Sequence, residues 1–383
     1  MFAYPAKRPL LVLVFKYLGF ILEGTMRTIT ATLLACLAFS IDAAEYRANE
    51  VANGFQIPWG IEFLDKQQMI VNEKNGTVSL LNIASGKQQI LFKVPNVSTS
   101  GQAGLLDVAL VPNTAPQNPQ LFFTYSKRTD KGNTVALATA QLKNNQLVDW
   151  KDVFVADAIT DTSRHYGSRI AFVDDKVYFS IGDRGERNNG QDTQTHAGTI
   201  LRLNLDGSVP QDNPFKTSEA RPEIWSYGHR NPQGMFYDKA TKQLWSIEHG
   251  PRGGDEINLI RKGANYGWAK VSQGKEYWGP LDVGEAKSLP NMEDPKLVYI
   301  PSIAPSNMVV YRGDKYSELN GKILAGALKL AHINVVSIQN GKLKESARLM
   351  EDLGERVRDI TVSPDGYVYF STDTGKIFRL EEK

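Results

Sequence analysis

The stretch Ser168–Asp183, SRIAFVDDKVYFSIGD, contains the pattern that decides the fold. An apolar run of about four residues is followed by a short polar turn and then by a second apolar run. In the second run, Val177, Phe179 and Ile181 alternate with two hydroxyl-bearing residues, the period of two that is typical of a β-strand. The stretch therefore predicts a β-hairpin that packs between neighbouring layers.

The same pattern of strand, turn and strand occurs six times along the chain. Its other five copies lie at residues 59–73, 105–126, 233–250, 306–328 and 358–373. One apolar residue of each copy can be taken as equivalent, and these positions are about 47 to 73 residues apart, which fits repeats of roughly 40 to 50 residues with insertions. The six residues are Ile61, Val108, Ile170, Met235, Met308 and Ile360.

Six repeated hairpins without long amphipathic helical patterns predict an all-β fold, a six-bladed β-propeller. Such hairpins also build β-sandwiches, but six copies over most of a 383-residue chain favour one closed ring. We predict a single propeller domain over residues 45–383. In a propeller, the loops that enter and leave the inner strands meet at the mouth of the central channel, where we expect the functional site.

Residues 1–44 are predicted to be an N-terminal extension and a signal peptide. The segment from Met26 to Ala44 has a basic start, an apolar centre and small residues before Glu45, as secretory signals do. The earlier apolar run, residues 8–22, is interrupted by Lys16 and is shorter than the roughly 20 residues that span a bilayer. We therefore expect a periplasmic or secreted protein with no integral membrane domain.

Two alternatives stay open in this region. The first apolar segment can be an upstream extension of a misplaced start, and Cys36 can be a lipidation site, although apolar residues just after it disfavour that. Cys36 is the only cysteine, so disulfides do not stabilise the folded part. Without residues 1–44 the chain has no net charge, which excludes the basic surface that nucleic-acid binding requires.

Clusters of charged residues stand at the ends of the predicted strands, and equivalent ends of different blades converge on one face. The clusters are HYGSR (165–169), GDRGERNN (182–189), YGHRNPQG (227–234), EHGPRGGDEIN (248–258), GALK (326–329) and ERVRD (355–359).

A lone histidine such as His165 is more often structural than catalytic. Here Asp183 lies at the other end of the same hairpin, where a carboxylate can hold the imidazole in one tautomer and raise its basicity.

Four cations in these clusters suggest an anionic ligand. Solvated surface charge is the usual role of such residues. Arg356 and Arg358 alternate on one strand face, however, and together with Arg230 and Lys329 they would suit a ligand with several carboxylates or a planar quinone.

The run GPRGGDEIN offers the hard oxygen ligands that calcium prefers: the carbonyls of Gly250 and Pro251 and the carboxylates of Asp255 and Glu256. It has no EF-hand spacing, so it does not define a calcium site by itself. The sequence also lacks HExxH, GxSxG, P-loop and GxGxxG signatures. It therefore has no recognisable binding motif for a nucleotide cofactor that would accept hydride.

A set of motifs resembles the soluble PQQ-dependent aldose sugar dehydrogenases of the glucose/sorbosone dehydrogenase family. The resemblance covers about residues 50 to 380 and is specific as a set. The motifs are HYGSRIAF, IGDRGERNN, GTILRLNLDGSVPQDNPF, IWSYGHRNPQGMFYD, EHGPRGGDEINLI, GANYGW and RVRDITVSPDGYVYFSTD.

This resemblance implies a propeller that binds pyrroloquinoline quinone (PQQ) and calcium at the channel mouth and oxidises aldoses at the anomeric carbon to lactones. It implies that His165 is the general base, that Asp183 orients it and that Arg230 stabilises negative charge on the quinone oxygen. Gly250 and Pro251 would hold the catalytic calcium. Glu256 and the backbone of Tyr266 resemble a second, structural calcium site. The implied cofactor contacts are Gln102, Arg230, Asn231, Lys329, Arg356 and Arg358.

The chain departs from the glucose-specific members of the family after the GD motif. Those members tend to have a glutamine-containing run there, whereas this chain has Arg184 and Arg187. We therefore expect a broad aldose preference, an external quinone or cytochrome as electron acceptor, and a monomer or homodimer.

Two other functions stay open. A calcium-dependent propeller lactonase would also use acidic residues at a channel mouth, but it would not need Lys329, Arg356 and Arg358 directed at one ligand. A non-catalytic sugar-binding propeller would not need the base and its partners.

Overall fold

A computed structural model describes residues 45–383. This part of the chain contains 24 β-strands and three short 3-10 helices, with no α-helix among the described residues. The predicted extension and signal peptide lie outside the described residues. Between residues 45 and 383, no helix is long and apolar enough to cross a membrane.

The strands form six antiparallel sheets of four strands, and we call them blades 1 to 6. The first strand, β1 (Tyr46–Ala52), belongs to blade 6. Blade 1 consists of β2 (Pro58–Phe63), β3 (Gln68–Glu73), β4 (Thr77–Asn82) and β5 (Gln88–Lys93). Blade 2 consists of β6 (Leu105–Leu110), β7 (Gln120–Thr129), β8 (Gly132–Lys143) and β9 (Gln146–Val155). Blade 3 consists of β10 (Ile170–Val173), β11 (Lys176–Ile181), β12 (Thr199–Asn204) and β13 (Ile224–Tyr227).

The second half of the chain continues in the same order. Blade 4 consists of β14 (Pro232–Asp238), β15 (Gln243–Glu248), β16 (Asp255–Ile260) and β17 (Leu297–Tyr299). Blade 5 consists of β18 (Pro305–Val310), β19 (Ile323–Ala327), β20 (His332–Gln339) and β21 (Lys342–Leu349). Blade 6 adds β22 (Val357–Val362), β23 (Val368–Thr372) and β24 (Ile377–Glu382) to β1. The 3-10 helices are Arg187–Gln191, Ser317–Leu319 and Glu351–Leu353.

Blade 6 closes the ring because it joins the two ends of the described chain. Strand β1 pairs with β24 from Tyr46 opposite Glu382 to Ala52 opposite Ile377. The six equivalent residues lie on β2, β6, β10, β14, β18 and β22, the innermost strand of each blade. These inner strands line a central cavity of 650 Å³. The prediction of an all-β, six-bladed propeller is confirmed.

Apolar side chains fill the space between neighbouring blades, and the alternation seen in the sequence shows why. Phe179 of β11 is fully buried and packs edge-on against Phe154 of blade 2, with ring centroids 5.9 Å apart. Ser180, on the other face, is also fully buried, and its hydroxyl donates to the carbonyl of Pro232 in blade 4 at 3.0 Å. Each strand of this kind therefore contacts a different blade on each face.

A buried arginine links several blades across the channel. Arg169 of blade 3 lies 2.7 Å from the Asp107 carboxylate of blade 2 and 3.3 Å from the Asp359 carboxylate of blade 6. Its Nε donates to the carbonyl of Gln233 in blade 4 at 3.1 Å. One guanidinium therefore connects four blades.

The two carboxylates extend this network to the remaining blades. Asp359 accepts a hydrogen bond from the backbone N–H of Ile61 in blade 1 at 2.7 Å and another from the Asn307 amide in blade 5 at 2.6 Å. Asp107 accepts from the backbone N–H of Ile170 at 2.7 Å. All six inner strands are thus tied together. We call the set the channel hub: Asp107, Arg169, Gln233, Asn307 and Asp359.

Replacing the central cation should destabilise the fold. Arg169→Met would leave Asp107 and Asp359 buried without a counter-charge, and we expect a loss of about 3–5 kcal/mol in the free energy of unfolding. Guanidinium-induced unfolding would measure it. The matched control is Arg47→Met, which breaks an exposed ion pair with Glu381 and should cost no more than about 1 kcal/mol.

The loss should also depend on pH. Burial raises the pKa of Asp107 and of Asp359 even with Arg169 present. When a carboxyl group has a higher pKa in the folded than in the unfolded state, the free energy of unfolding of the protein falls as pH rises through that folded pKa. The variant should therefore be closer to wild type at pH 5 than at pH 8, and a loss that is the same at both values would contradict the assignment.

Candidate active site at the channel mouth

The structure places His165 and Asp183 side by side. His165 lies in the loop before β10 and Asp183 directly after β11, and His165 Nδ1 is 2.5 Å from Asp183 Oδ1. The other carboxylate oxygen accepts a hydrogen bond from the indole N–H of Trp268 at 2.7 Å. Because the carboxylate accepts from Nδ1–H, the ring is held in one tautomer, and Nε2 keeps a free lone pair.

The surroundings keep this imidazole neutral near pH 7. Burial lowers the pKa of His165, the hydrogen bond to Asp183 opposes that change, and the positive charges of Arg230 and Arg184 lower the pKa further. A lowered pKa means that more than half of the rings are unprotonated at pH 6.5. His165 can therefore accept a proton at neutral pH.

The loop that carries His165 has a constrained backbone. His165 and Ser168 have positive φ angles of 51° and 85°, which are costly for residues with a side chain. A Cβ at Gly182 would lie 2.3 Å from the carbonyl oxygen of His165, so only glycine fits there. Gln102 accepts from the backbone N–H of His165 at 2.7 Å, and Asn231 accepts from that of Gly167 at 3.1 Å.

Gln102 and Asn231, which the resemblance implied as cofactor contacts, therefore also hold the loop in shape. Asn231 is 1% exposed and lies under the loop. Its direct contact with a cofactor stays a prediction.

Arg230 lies next to the predicted calcium ligands. Its guanidinium donates to the carbonyl of Gly250 at 2.8 Å and to that of His249 at 3.2 Å. It also stacks over the Trp268 ring, 5.3 Å from the centroid. The structure thus brings the motifs that contain Arg230, Gly250 and Trp268 to one place.

Arg356 and Arg358 share one partner, Asp373. Arg358 is 6% exposed, makes two hydrogen bonds to Asp373 at 2.7 and 3.0 Å, and lies over the Trp59 ring at 3.9 Å. Arg356 is half-exposed and donates to the same carboxylate at 2.7 Å and to the Leu328 carbonyl at 2.9 Å. Two cations therefore depend on one acidic group.

Lys329 follows Leu328 in the chain and is exposed. Among residues 45–383 its ammonium group has no side-chain or carbonyl partner. The mouth thus has more positive than negative charge on the side of blades 5 and 6.

Two further residues belong to this region and were missed from the sequence. Burial and the neighbouring Arg358 lower the pKa of Lys74, whose ammonium donates to the carbonyl of Thr99. His249 donates from Nε2 to the carbonyl of Pro305 at 2.6 Å. Burial lowers its pKa to about 3, with further contributions from Arg230, His165 and Arg358. No pattern in the sequence marked Lys74, whereas His249 belongs to the EHGPRGGDEIN cluster.

A narrow cleft beside Gly250 contains two facing carboxylates. Glu248 and Glu256 are direct cross-strand partners in blade 4, and the cleft is also lined by Pro251 and Tyr266. Burial, together with the charge of Glu248, raises the pKa of Glu256. Like charges placed opposite each other destabilise a sheet, so a cation between them would be stabilising.

Most oxygens at this cleft already have partners, and those of Glu248 accept from the backbone N–H of Arg230 at 2.8 Å and from the Asn258 amide at 3.0 Å. Asp255, which we grouped with the hard oxygen ligands, accepts from the backbone N–H groups of Gly250 and Ala304 and shapes the turn. The Pro251 carbonyl accepts from the Ser302 hydroxyl at 3.1 Å. Within the described part, no three His, Cys, Asp or Glu side chains are arranged to hold a metal. A cation here would therefore depend on carbonyl ligands.

The two arginines after the GD motif have different roles. Arg184 is fully buried, stacks on Tyr166 at 3.6 Å and donates to the carbonyls of Arg164 and Thr162. It supports the His165 loop and does not face the channel mouth. Arg187 lies at the edge of the mouth and pairs with Glu276.

The sequence profile of the Glucose / Sorbosone dehydrogenase family matches residues 55–379. The chain belongs to this family. Membership confirms the predicted resemblance and the prediction that the chain is an oxidoreductase.

Named relatives agree with this assignment. Aldose sugar dehydrogenase YliI of Escherichia coli (strain K12) is 36% identical over 363 residues, which cover 91% of this chain and 97% of that protein. Quinoprotein glucose dehydrogenase B of Acinetobacter calcoaceticus is 29% identical over 393 residues, 81% of each protein. The PQQ-bound aldose sugar dehydrogenase of Streptomyces coelicolor superposes with a TM-score of 0.72 at 25% identity, over 89% of this chain and 99% of that one.

The contacts of His165 predict its titration. Histidine-selective NMR should give a pKa below 6.5 for this ring, identified by its missing signal in His165→Asn. Asp183→Asn should lower the pKa further, because the carboxylate favours the charged ring. A pKa at or above 6.5 in the wild type, or a rise in the Asp183 variant, would show that the pair is not arranged as described.

Proposed function

We propose that this protein oxidises aldose sugars at the anomeric carbon to lactones, with hydride transfer to bound PQQ. The observation that carries the proposal is the His165–Asp183 pair with its free Nε2, which lies beside Arg230 at the mouth of the channel. The names of the relatives support it, since they include an aldose sugar dehydrogenase and a quinoprotein.

The residues at the mouth divide the reaction between them. His165 Nε2 takes the proton of the C1 hydroxyl as the C1–H bond breaks and the C1=O bond of the lactone forms. Asp183 stabilises the imidazolium that results. Bound PQQ supplies the electrophilic quinone that accepts the hydride. Arg230 offers a fixed positive charge where negative charge develops.

The cations fit a planar cofactor with several carboxylates. Arg356 and Arg358 share the single carboxylate of Asp373, and Lys329 has no partner within residues 45–383. Guanidinium and ammonium groups with unused donors are the usual ligands of carboxylates. A lactonase has no need for this excess of positive charge, so the dehydrogenase is the better candidate.

Calcium fits the oxygen ligands of blade 4. We propose that the carbonyls of Gly250 and Pro251 hold one calcium ion, which acts as a Lewis acid, and that Glu256 and the carbonyl of Tyr266 hold a second. Ligation through Gly250 would take the place of its hydrogen bond from Arg230 and would leave that guanidinium available. Export to the periplasm or the medium is proposed from the sequence of residues 26–44.

Reconstitution tests the function. Purified protein should reduce an artificial dye with glucose or other aldoses only after addition of both PQQ and calcium, and a chelator should abolish the activity. Zinc should not replace calcium at carbonyl and carboxylate ligands. His165→Ala should bind PQQ but turn over roughly 100-fold more slowly. Hydrolysis of lactones without any dye reduction would favour the lactonase instead.

Lys329 offers a test of cofactor binding that leaves the fold untouched. Lys329→Ala removes an exposed ammonium group and should weaken PQQ binding by roughly 10-fold or more, since a charge-assisted hydrogen bond contributes about 1.5–3 kcal/mol. Fluorescence titration with PQQ would measure the affinity. Lys66→Ala, an exposed lysine of blade 1 on the β2–β3 turn, is the control. Equal affinity in both variants would contradict the role of Lys329.

A further inference from the structure

The central cavity and the channel mouth lie at opposite ends of the inner strands. At the mouth, Arg230 stands two residues before β14 and Arg356 one residue before β22. The cavity instead reaches the last residues of the same two strands, Asp238 and Val362, and the exposed turn residue Lys239. The channel hub, whose members stand at or just before the first three residues of inner strands, lies between them. The cavity therefore opens to solvent on the face opposite the mouth.

One layer of the cavity wall carries a single ionisable group. This layer consists of the residues that directly follow the six equivalent positions: Glu62, Ala109, Ala171, Phe236, Val309 and Thr361. All of them except Ala171 line the cavity. Glu62 is thus a lone carboxyl group in a layer that is otherwise apolar or hydroxyl-bearing.

Glu62 has no positively charged partner. Its carboxylate accepts one long hydrogen bond, from the backbone N–H of Leu110 in blade 2 at 3.3 Å, and no lysine or arginine of the described chain forms an ion pair with it. Burial raises the pKa of Glu62 to about 8, the hydrogen bond from Leu110 opposes this change, and the charges of Asp107 and Asp359 add to it. The one cation of the hub, Arg169, already pairs with those two aspartates. A positive group beside Glu62 would therefore be stabilised.

The size and the wall of the cavity favour an organic ligand over a bare ion. Its volume of 650 Å³ lies within the roughly 300–1,000 Å³ of small-molecule sites. Met235, Phe236, Met308 and Val309 contribute an apolar surface, and methionine side chains adapt to ligands of different shape. A fitting ligand has an apolar body beside these side chains and a positive charge beside Glu62.

The charged groups at the outer end of the cavity do not oppose such a ligand strongly. Arg312 makes two hydrogen bonds to the Asp238 carboxylate, at 3.2 and 2.6 Å, so this pair carries no net charge. Lys239 is exposed on the turn after β14, where water and salt screen its charge. The uncompensated charge of the cavity is therefore negative and lies inside, at Glu62 and the hub.

We propose that this cavity is a binding site for a small primary amine with an apolar chain. The ammonium group donates to the Glu62 carboxylate, and the chain packs against Met235, Met308 and Val309. The site lies on the other side of the hub from the proposed oxidation site, so neither proposal depends on the other.

Three probes with the same chain and different charge test the site: hexylamine, hexanol and hexanoate. Calorimetric titration uses protein without added PQQ, because a primary amine reacts with a quinone. Hexylamine should bind wild-type protein roughly 10-fold more tightly than hexanol, since it adds a charge-assisted hydrogen bond, and hexanoate should bind most weakly. In Glu62→Gln, which keeps an oxygen to accept from Leu110, this preference should disappear. Glu50→Gln, which changes an exposed carboxylate of β1, is the control and should behave as wild type.

Proton release gives a second measurement that needs no variant. Because bound amine requires ionised Glu62, a group with a pKa of about 8 should release roughly 0.9 proton on binding at pH 7 and roughly 0.1 at pH 9. The amine itself stays charged at both values, since alkylammonium groups titrate like lysine, near 10.4. Affinity should therefore be roughly 10-fold higher at pH 9 than at pH 7. Titrations in buffers of different ionisation enthalpy would measure the release, which Glu62→Gln should abolish even if Asp107 and Asp359 titrate as well.

Methionine methyl NMR locates the ligand. Hexylamine should shift the signals of Met235 and Met308, assigned through Met235→Leu and Met308→Leu, and leave unchanged that of Met292, which packs near Gly267 outside this cavity. Three results would overturn the proposal: no binding of any probe, as expected for a cavity that holds only water; equal affinity of wild-type protein for hexylamine and hexanol; or an amine preference that Glu62→Gln retains.

Discussion

The contact of Arg169 with two carboxylates is the interaction on which the rest of the ring depends. Apolar packing between blades is strong but tolerates small rotations, whereas charge-assisted hydrogen bonds are directional. Arg169 fixes Asp107 and Asp359, and these fix inner strands that do not touch the arginine. Since His165 stands four residues before Arg169 in the same segment, the loop that carries the candidate base is anchored at one end by this contact.

The candidate active site has an imbalance of charge, and contacts within the fold stabilise the charged groups. Arg358 is almost fully buried, which is costly for a cation, yet the Asp373 carboxylate and the Trp59 ring together stabilise it. The single aspartate is shared with Arg356, so neither guanidinium is fully neutralised. In blade 4, which follows blade 3 and precedes blade 5, the situation is the reverse: Glu248 and Glu256 are cross-strand partners, and burial together with the charge of Glu248 raises the pKa of Glu256. An anionic cofactor and a divalent cation would correct both.

The sequence predicted the number of blades because each repeat must bury both faces of its strands, which leaves a visible apolar pattern. It also predicted His165, Asp183 and Arg230 as site residues, because these stand at strand ends, where a propeller converges, and the structure places the three near each other. It did not locate Lys74, which follows a strand without any motif, or the true position of Arg184. The sequence does not distinguish an arginine that is buried under a loop from one that is exposed at the channel mouth. The structure does, because Arg184 packs against the Tyr166 ring.

The pairing of β1 with β24 determines when the protein can complete its structure. Blade 6 contains both the first and the last strand of the described chain, so it stays unfinished while β24 is still being synthesised. Until then an unpaired strand edge is exposed, and such edges associate readily with other chains. Contacts between residues so distant in sequence also form slowly. Arg358 and Asp373 come from blade 6 and His165 from the loop before blade 3, so a nascent chain has no complete candidate active site before blade 6 has been synthesised.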